Sequence, residues 1–312
     1  MSDESSDPGV VLAVAVGRSR SQAAVFDLAG RELAGDTRDH EVGISAEVLM
    51  PEVVERMTKM VTSIDLPVLA IGMSLPGVVN PDLGMSIDTP AMGGWDGVQL
   101  APYFTALTDA PLILAHDAHA LARSELFNSD HPVRNALVVK ASTGLGMGII
   151  VDGKVVTGAL GAAGEIGHTR IDAAGDRPCR CGSTGCLETV ASGWALAQRL
   201  TDSGVPAGHV RDLVAAALAG DAVARGLLRE GGRQLGEVVA TAVNLLNPEV
   251  VVIGGDMAGA FDLYTAGVRE SVYARSNPIA TRELTFMAQL HGDSSGLVGC
   301  AAMAIESLSD PQ

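Results

Sequence analysis

The chain has 312 residues, 47% of them hydrophobic and 3% aromatic, with 37 glycines and a formal net charge of −16. That length supports two medium-sized cores, and the glycine- and alanine-rich composition fits closely packed β–α units and excludes a disordered or fibrous chain. The acidic balance repels phosphate backbones and anionic membranes, no apolar run reaches the roughly 20 uncharged residues of a membrane span, and the opening MSDESSDPG lacks an export-signal pattern. The expectation is a cytoplasmic α/β protein with no membrane partner and no direct contact to nucleic acid.

In chain order, VVLAVAV at 10–16, QAAVFDL at 22–28 and RELAG at 31–35 predict three strands, and the apolar spacing of 46–64 predicts a helix. PVLAIGMSL at 67–75 is a buried strand running into Pro76-Gly77. PLILAHD at 111–117 repeats that pattern, with a helix over 118–128. From Asn135 the opening pattern returns: ALVVKASTGLGMGIIVDGKVVTG is strand, glycine-containing loop, strand, Asp-Gly turn, strand. Loop falls on loop and turn on turn, so the chain reads as two related α/β lobes with a cleft between. The lobes are placed at 10–116 and 117–295, with a last helix over 296–308 packing back on the first.

Beyond the repeat come helices over 186–200 and 210–220, then a long helix starting at an Asp221 cap and stopped by Pro248. The strand EVVVIGG at 249–255, a further helix, a strand near ELTFMAQL at 283–290 and the last helix complete the pattern.

Cys179, Cys181 and Cys186 lie within eight residues, and His168 precedes them in GAAGEIGH. Three thiolates and an imidazole match the tetrahedral preference of zinc, and Gly182 and Gly185 permit the turns that convergence needs. Four protein ligands make such a site structural; unmetallated surface thiols are the plainer alternative. Cys300, in GCAAMAI, reads as a buried core thiol.

Other motifs have two readings each. STGLGMG at 142–148 can present backbone N–H groups to an anion or be a glycine-rich bend, and alone the bend is the better reading. Asp117 ends a strand and opens a helix, so it can cap that helix or take a proton from a bound hydroxyl. Gly254-Gly255 brings bare backbone near a flat base or ribose, or merely turns strand into helix.

Together SLPGVVNPDLG, GGWDGVQL, HDAHALARSE, STGLGMG, GEIGH, CRCGSTGCLE, LNPEVVVIGG and GDSSGLVGCAA resemble the ROK family of repressors and sugar kinases, within the two-lobed actin-like ATPases of ribonuclease H-like fold. The resemblance implies transfer of the γ-phosphoryl of ATP, with Mg²⁺, to a hydroxyl of a hexose or N-acyl amino sugar. It implies Asp117 as general base; Gly77, His116, Glu165, His168 and Glu188 at the sugar; and His168, Cys179, Cys181 and Cys186 on zinc. It also implies Gly17, Ser19, Thr143, Gly144, Gly254 and Gly255 at the nucleotide, and a homodimer or higher assembly.

Two departures qualify this. The kinases of the family carry Asp-x-Gly-Gly-Thr-Lys in the first loop, whereas this chain reads Ala15-Val16-Gly17-Arg18-Ser19-Arg20. A carboxylate that would help to organise Mg²⁺ and phosphate is missing, and Arg18 stands where small residues are expected, although Arg18 and Arg20 can be read as neutralising phosphate directly. Beside the base, Asn-Asp-x-Asn becomes His116-Asp117-Ala118-His119. Three readings follow: a sugar kinase, a non-catalytic sugar-binding regulator related to the effector half of the repressors, or an assembly subunit that keeps only the scaffold. The roughly nine polar residues before the first strand are too few for a helix-turn-helix module.

Overall fold

A computed structural model of the chain describes residues 9–80, 83–88, 92–129 and 133–309. The opening eight residues and Pro81-Asp82 of SLPGVVNPDLG lie outside them. Two compact units divide the chain. The first comprises Met1–Ser129, Ala159–Gly161 and Gly296–Gln312, the second Asp130–Gly158 and Ala162–Ser295.

In the first unit, strands β1 (Val10–Val16), β2 (Arg20–Asp27) and β3 (Glu32–Asp39) form an antiparallel meander, followed by helix α1 (Ala46–Ile64) and strand β4 (Val68–Leu75). A short hairpin, β5 (Val78–Asn80) with β6 (Met85–Asp88), and the one-turn α2 (Ala101–Phe104) precede strand β7 (Leu112–His116) and helix α3 (Asp117–Ser124). The sheet order is β3-β2-β1-β4-β7, with β4 parallel to both β1 and β7. The continuous apolar run of β1 follows from burial on both faces. Val10, Leu12, Val14 and Val16 face a core shared with Leu49, Met50, Val53 and Met57 of α1, while Val11 and Ala13 face one that includes Cys300, Ala301 and Ala304.

The second unit repeats the layout. Strands β8 (Ala136–Ala141), β9 (Leu145–Val151) and β10 (Lys154–Val156) are antiparallel, and the β9–β10 turn has positive φ at Asp152 (50°) and Gly153 (74°), as a two-residue hairpin of that twist requires. Helices α4 (Glu188–Ala191), α5 (Gly193–Asp202), α6 (Val210–Leu218) and α7 (Ala222–Leu246) follow, then β11 (Val250–Gly254), α8 (Phe261–Arg275), α9 (Pro278–Thr281) and β12 (Thr285–Ala288); the last helix, α10 (Ser295–Ser309), lies with the first unit from Gly296 on. The order is β10-β9-β8-β11-β12, with β11 parallel to β8 and β12. The helix expected over 186–200 is interrupted at Ser192, whose hydroxyl accepts from Ala195 N and starts α5. Asp221 caps α7, accepting from Ala224 N at 2.8 Å.

The division between the units falls near residue 130, and not at Asp117, so α3 lies with the first unit. The reason is close packing against α10, where a side chain on Gly299 would strike the Ala120 carbonyl and Arg123 pairs with Glu306. Among the described residues no helix is long and apolar enough to cross a membrane.

Candidate functional site

The cysteine loop of the second unit converges on one point. Bridges Arg170↔Cys186 and Pro178↔Thr184, and bonds Cys179 N to Ser183 O (2.8 Å) and Gly182 N to Cys179 O (3.1 Å), fold the loop back on itself. His168 reaches it from a single 3₁₀ turn over Ile166–His168. One ligand atom from each of His168, Cys179, Cys181 and Cys186 lies within 4.8 Å of all the others. His168 Nδ1 is 3.6 Å from Cys179 Sγ, and Cys181 Sγ is 3.7 Å from Cys186 Sγ. Metal–sulfur bonds of about 2.3 Å and metal–nitrogen bonds of about 2.05 Å at tetrahedral angles require edges of about 3.8 and 3.6 Å, so the four residues fit zinc. A disulfide, at about 2.05 Å, is excluded at these separations. Burial raises Cys179 and, helped by the neighbouring thiols, pushes Cys186 up to about 12.

With Nδ1 turned to the thiols, His168 presents Nε2 to Glu165, whose Oε2 is 4.0 Å away. Glu188, the first residue of α4, is only 7% exposed; its Oε1 accepts from Arg180 Nη2 at 2.6 Å and from Trp194 Nε1 at 3.3 Å. Its Oε2 lies 3.2 Å from the position that a side chain on Gly144 would occupy, and 3.3 Å from the corresponding position at Gly167. Arg180 and Trp194 were missed by the sequence reading. The signal available was Arg180 standing alone between two ligand cysteines.

The β8–β9 loop carrying Thr143 and Gly144 is held from behind. The first N–H groups of α5, which have no partner within their own helix, donate to it: Gly193 N to Ser142 O at 2.9 Å and Trp194 N to Thr143 O at 3.2 Å. Ser142 Oγ donates to the Asp256 carboxylate. Thr143 Oγ1 is 3.4 Å from His209 Nε2, and His209 Nδ1 accepts from Arg211 N (3.1 Å) and Arg211 Nε (3.2 Å). Two donors on Nδ1 leave the ring proton on Nε2, so His209 donates to Thr143 and the Thr143 hydroxyl keeps its own hydrogen to give. On the neighbouring strand, Gly254 pairs with Lys140. Gly255 adopts φ 81° against the Ala141 backbone, and its N–H donates to Gln289 Oε1 at 3.0 Å.

In the first unit the β1–β2 turn closes on itself: Gly17 N donates to Arg20 O at 2.7 Å, and Ser19 O accepts from His40 N at 2.9 Å. Arg20 Nε pairs with Asp39 Oδ1 at 2.9 Å. Gly77, at φ 110°, turns the chain after β4. The cap of α3 is His116, whose Nδ1 accepts from Ala118 N at 3.3 Å, and not Asp117, which is the first helical residue. His116 Nε2 lies 3.5 Å from Asp117 Oδ1, and the His116 and His119 rings meet edge to face at 5.5 Å. The Asp117 carboxylate, 12% exposed, sits at the favourable end of the α3 dipole.

Two five-stranded sheets of one layout, each a three-stranded meander continued by two parallel strands, define an α/β protein of the actin-like ATPase type. A profile of the ROK family matches residues 11–307, and the chain belongs to that family. It is similar to a glucokinase of Halalkalibacterium halodurans (31% identical, covering 74% of each chain) and to a xylose repressor of Caldicellulosiruptor bescii (28% identical, covering 98% of this chain and 81% of the repressor). Among solved structures it is similar to a ROK family glucokinase from Streptomyces griseus in complex with glucose and AMPPNP, with a TM-score of 0.78, 27% identity, and coverage of 96% of this chain and all of the other. Its homologues thus include both kinases and repressors.

Proposed function

We propose that this chain is a carbohydrate kinase that transfers the γ-phosphoryl of ATP to a hydroxyl of a hexose or N-acyl amino sugar. The observation that carries this reading is the nearness of Glu188 to Gly144, with Oε2 3.2 Å from where a side chain on Gly144 would begin: the carboxylate matched to the sugar lies beside the loop matched to the phosphates. The kinase relatives, one of them solved with glucose and a nucleotide analogue, support the same direction.

In this reading the sugar hydroxyl gives its proton to Asp117 as its oxygen bonds to the γ-phosphorus. The bond from that phosphorus to the β–γ bridging oxygen breaks, and ADP leaves with the electron pair. Gly77, His116, Glu165, His168 and Glu188 orient sugar hydroxyls. Thr143 and Gly144 donate to the phosphates, Gly17 and Ser19 form what remains of the first loop, and Gly254 and Gly255 line the adenosine. Mg²⁺ neutralises phosphate charge, and the zinc ligands His168, Cys179, Cys181 and Cys186 keep the loop of Glu188 in place.

A second reading, a non-catalytic sugar-binding regulator, is favoured by the closed β1–β2 turn, where the Gly17 N–H is used within the turn and Ala15 supplies no carboxylate. The deciding experiment is a panel of hexoses and N-acyl amino sugars with MgATP, monitored by ADP release. Sugar-dependent release that is lost in Asp117→Asn supports the kinase. No release with any sugar, together with calorimetric binding of one of them, replaces it with the regulator.

A further inference from the structure

In the second unit, Arg180 and Trp194, to which the kinase reading gives no part, meet on Glu188, which that reading places at the sugar. Arg180 stands between Cys179 and Cys181, so its backbone is held on both sides by residues of the metal cluster. Its guanidinium lies between two partners: Glu188 Oε1, 2.6 Å from Nη2, and the Trp194 ring, whose centroid is 4.6 Å from Cζ. The indole N–H closes the triangle on the same Glu188 oxygen at 3.3 Å. Arg180 is itself 28% exposed and its Nε is buried with no hydrogen-bond partner, an arrangement unlike a solvated surface cation.

Both partners of Arg180 lead to the second glycine loop. Trp194 N donates to Thr143 O at 3.2 Å, and Glu188 Oε2 lies 3.2 Å from the side-chain position of Gly144. A buried carboxylate paired with a fixed guanidinium has one preferred orientation; without that partner it must turn, take up water or protonate. Whatever fixes the backbone at Arg180 therefore fixes Glu188, and a planar donor that also stacks on an aromatic face is suited to hold both.

We propose that Arg180 is a positioning residue that couples occupancy of the His168, Cys179, Cys181 and Cys186 cluster to the second glycine loop, through Glu188 and Trp194. With one ion holding Cys179 and Cys181, the guanidinium stays on Glu188. When the ion is removed and the cysteines are released, the junction opens and Trp194 loses the cover of one face. The coupling does not depend on phosphoryl transfer and goes beyond the kinase reading.

The test uses the full, zinc-loaded chain and the emission of Trp194. The chain has two tryptophans; Trp95 is fully buried in the first unit, with its Nε1 on Ile44 O at 2.9 Å, and the Trp194→Phe variant supplies its contribution for subtraction. Arg180→Met is expected to hold as much zinc per chain as the wild type by metal analysis. Its Trp194 emission shifts to the red, acrylamide quenching rises roughly twofold, and Arg180→Lys recovers part of the change. Chelation of the wild type, under conditions where circular dichroism is unchanged, is expected to produce the same shift, and chelation of Arg180→Met to add nothing. Unaltered emission in Arg180→Met, an equal chelation response in Arg180→Met and wild type, or a purified chain that carries no metal would each overturn the proposal. The chelation arm needs only the wild type and Trp194→Phe, so a poorly folding Arg180→Met leaves the proposal open to refutation. Absence of turnover with every sugar sinks the kinase reading and leaves these readouts untouched.

Discussion

The β1–β2 turn of the first unit and the β8–β9 loop of the second occupy equivalent places in two sheets of the same layout, and each closes with one bond of its own, Gly17 N to Arg20 O at 2.7 Å and Ser142 N to Gly144 O at 3.0 Å, but they are braced from different sides. In the β8–β9 loop, carbonyls and hydroxyls are engaged from outside by α5, Asp256 and His209. The β1–β2 turn is braced from the edge of β3, where Ser19 O accepts from His40 N at 2.9 Å and Arg20 pairs with Asp39. The difference teaches that an anion loop is made as much by what holds its carbonyls as by its glycines. An N–H already paired inside its own turn, that of Gly17 in one loop and of Ser142 in the other, is not the donor a phosphate would use.

The largest effect expected from breaking this asymmetry is at the metal cluster. Cys186→Ser or chelation would release the cluster of His168, Cys179, Cys181 and Cys186, which among the described residues has no counterpart in the first unit, and so loosen the second unit. With structural zinc contributing several kcal/mol, its melting temperature is expected to fall by roughly 10 °C or more, with the first unit less affected, as read by calorimetry. Next comes Asp117→Asn, expected to lower sugar-dependent ADP release about 10²- to 10⁴-fold with little change in melting temperature. His209→Ala removes both the α6 cap and the donor to Thr143. A loss of about 1–2 kcal/mol in stability is expected, with weaker binding of a nonhydrolysable ATP analogue by calorimetry; unchanged binding would show that the Thr143 hydroxyl needs no such support. The smallest effect belongs to Arg20→Ala. An exposed pair such as Arg20 with Asp39 contributes about 0–1 kcal/mol, so stability and analogue binding should barely move, and a large loss of binding would restore Arg20 to the phosphates.

Much of the scaffold was legible because local pattern and tertiary role agree. VVLAVAV is continuous because both faces of β1 are buried, Asp-Gly marks a turn whose two residues need positive φ, and Asp221 caps α7 as its type predicts. The convergence of His168, Cys179, Cys181 and Cys186 was legible from spacing, since three cysteines and a histidine on one short segment can meet with little help from the rest of the fold. Short elements without their own periodicity, β5, β6, α2 and α9, carried no comparable signal. The cap of α3 went to His116 and not to the better capping residue beside it, because the end of β7 decides which residue stands at the boundary. The contact of Thr143 with His209, 66 residues apart, depends on tertiary packing and has no local signature. Arg180 was passed over because a charged residue inside a loop ordinarily faces solvent, and only the placement of Glu188 and Trp194 reveals its partners.

The packing of α10 against β1 and α3 also orders events during synthesis. Cys300 Sγ meets Val14 O at 3.3 Å, and Leu297, Ala301 and Ala304 fill the face of the first sheet away from α1. A ribosome therefore releases the five strands of the earlier sheet long before the helix that seals them, whereas the later sheet has all its strands before that helix emerges. The half made first is completed last, and until then an apolar sheet face stays open to chaperones or to misassociation.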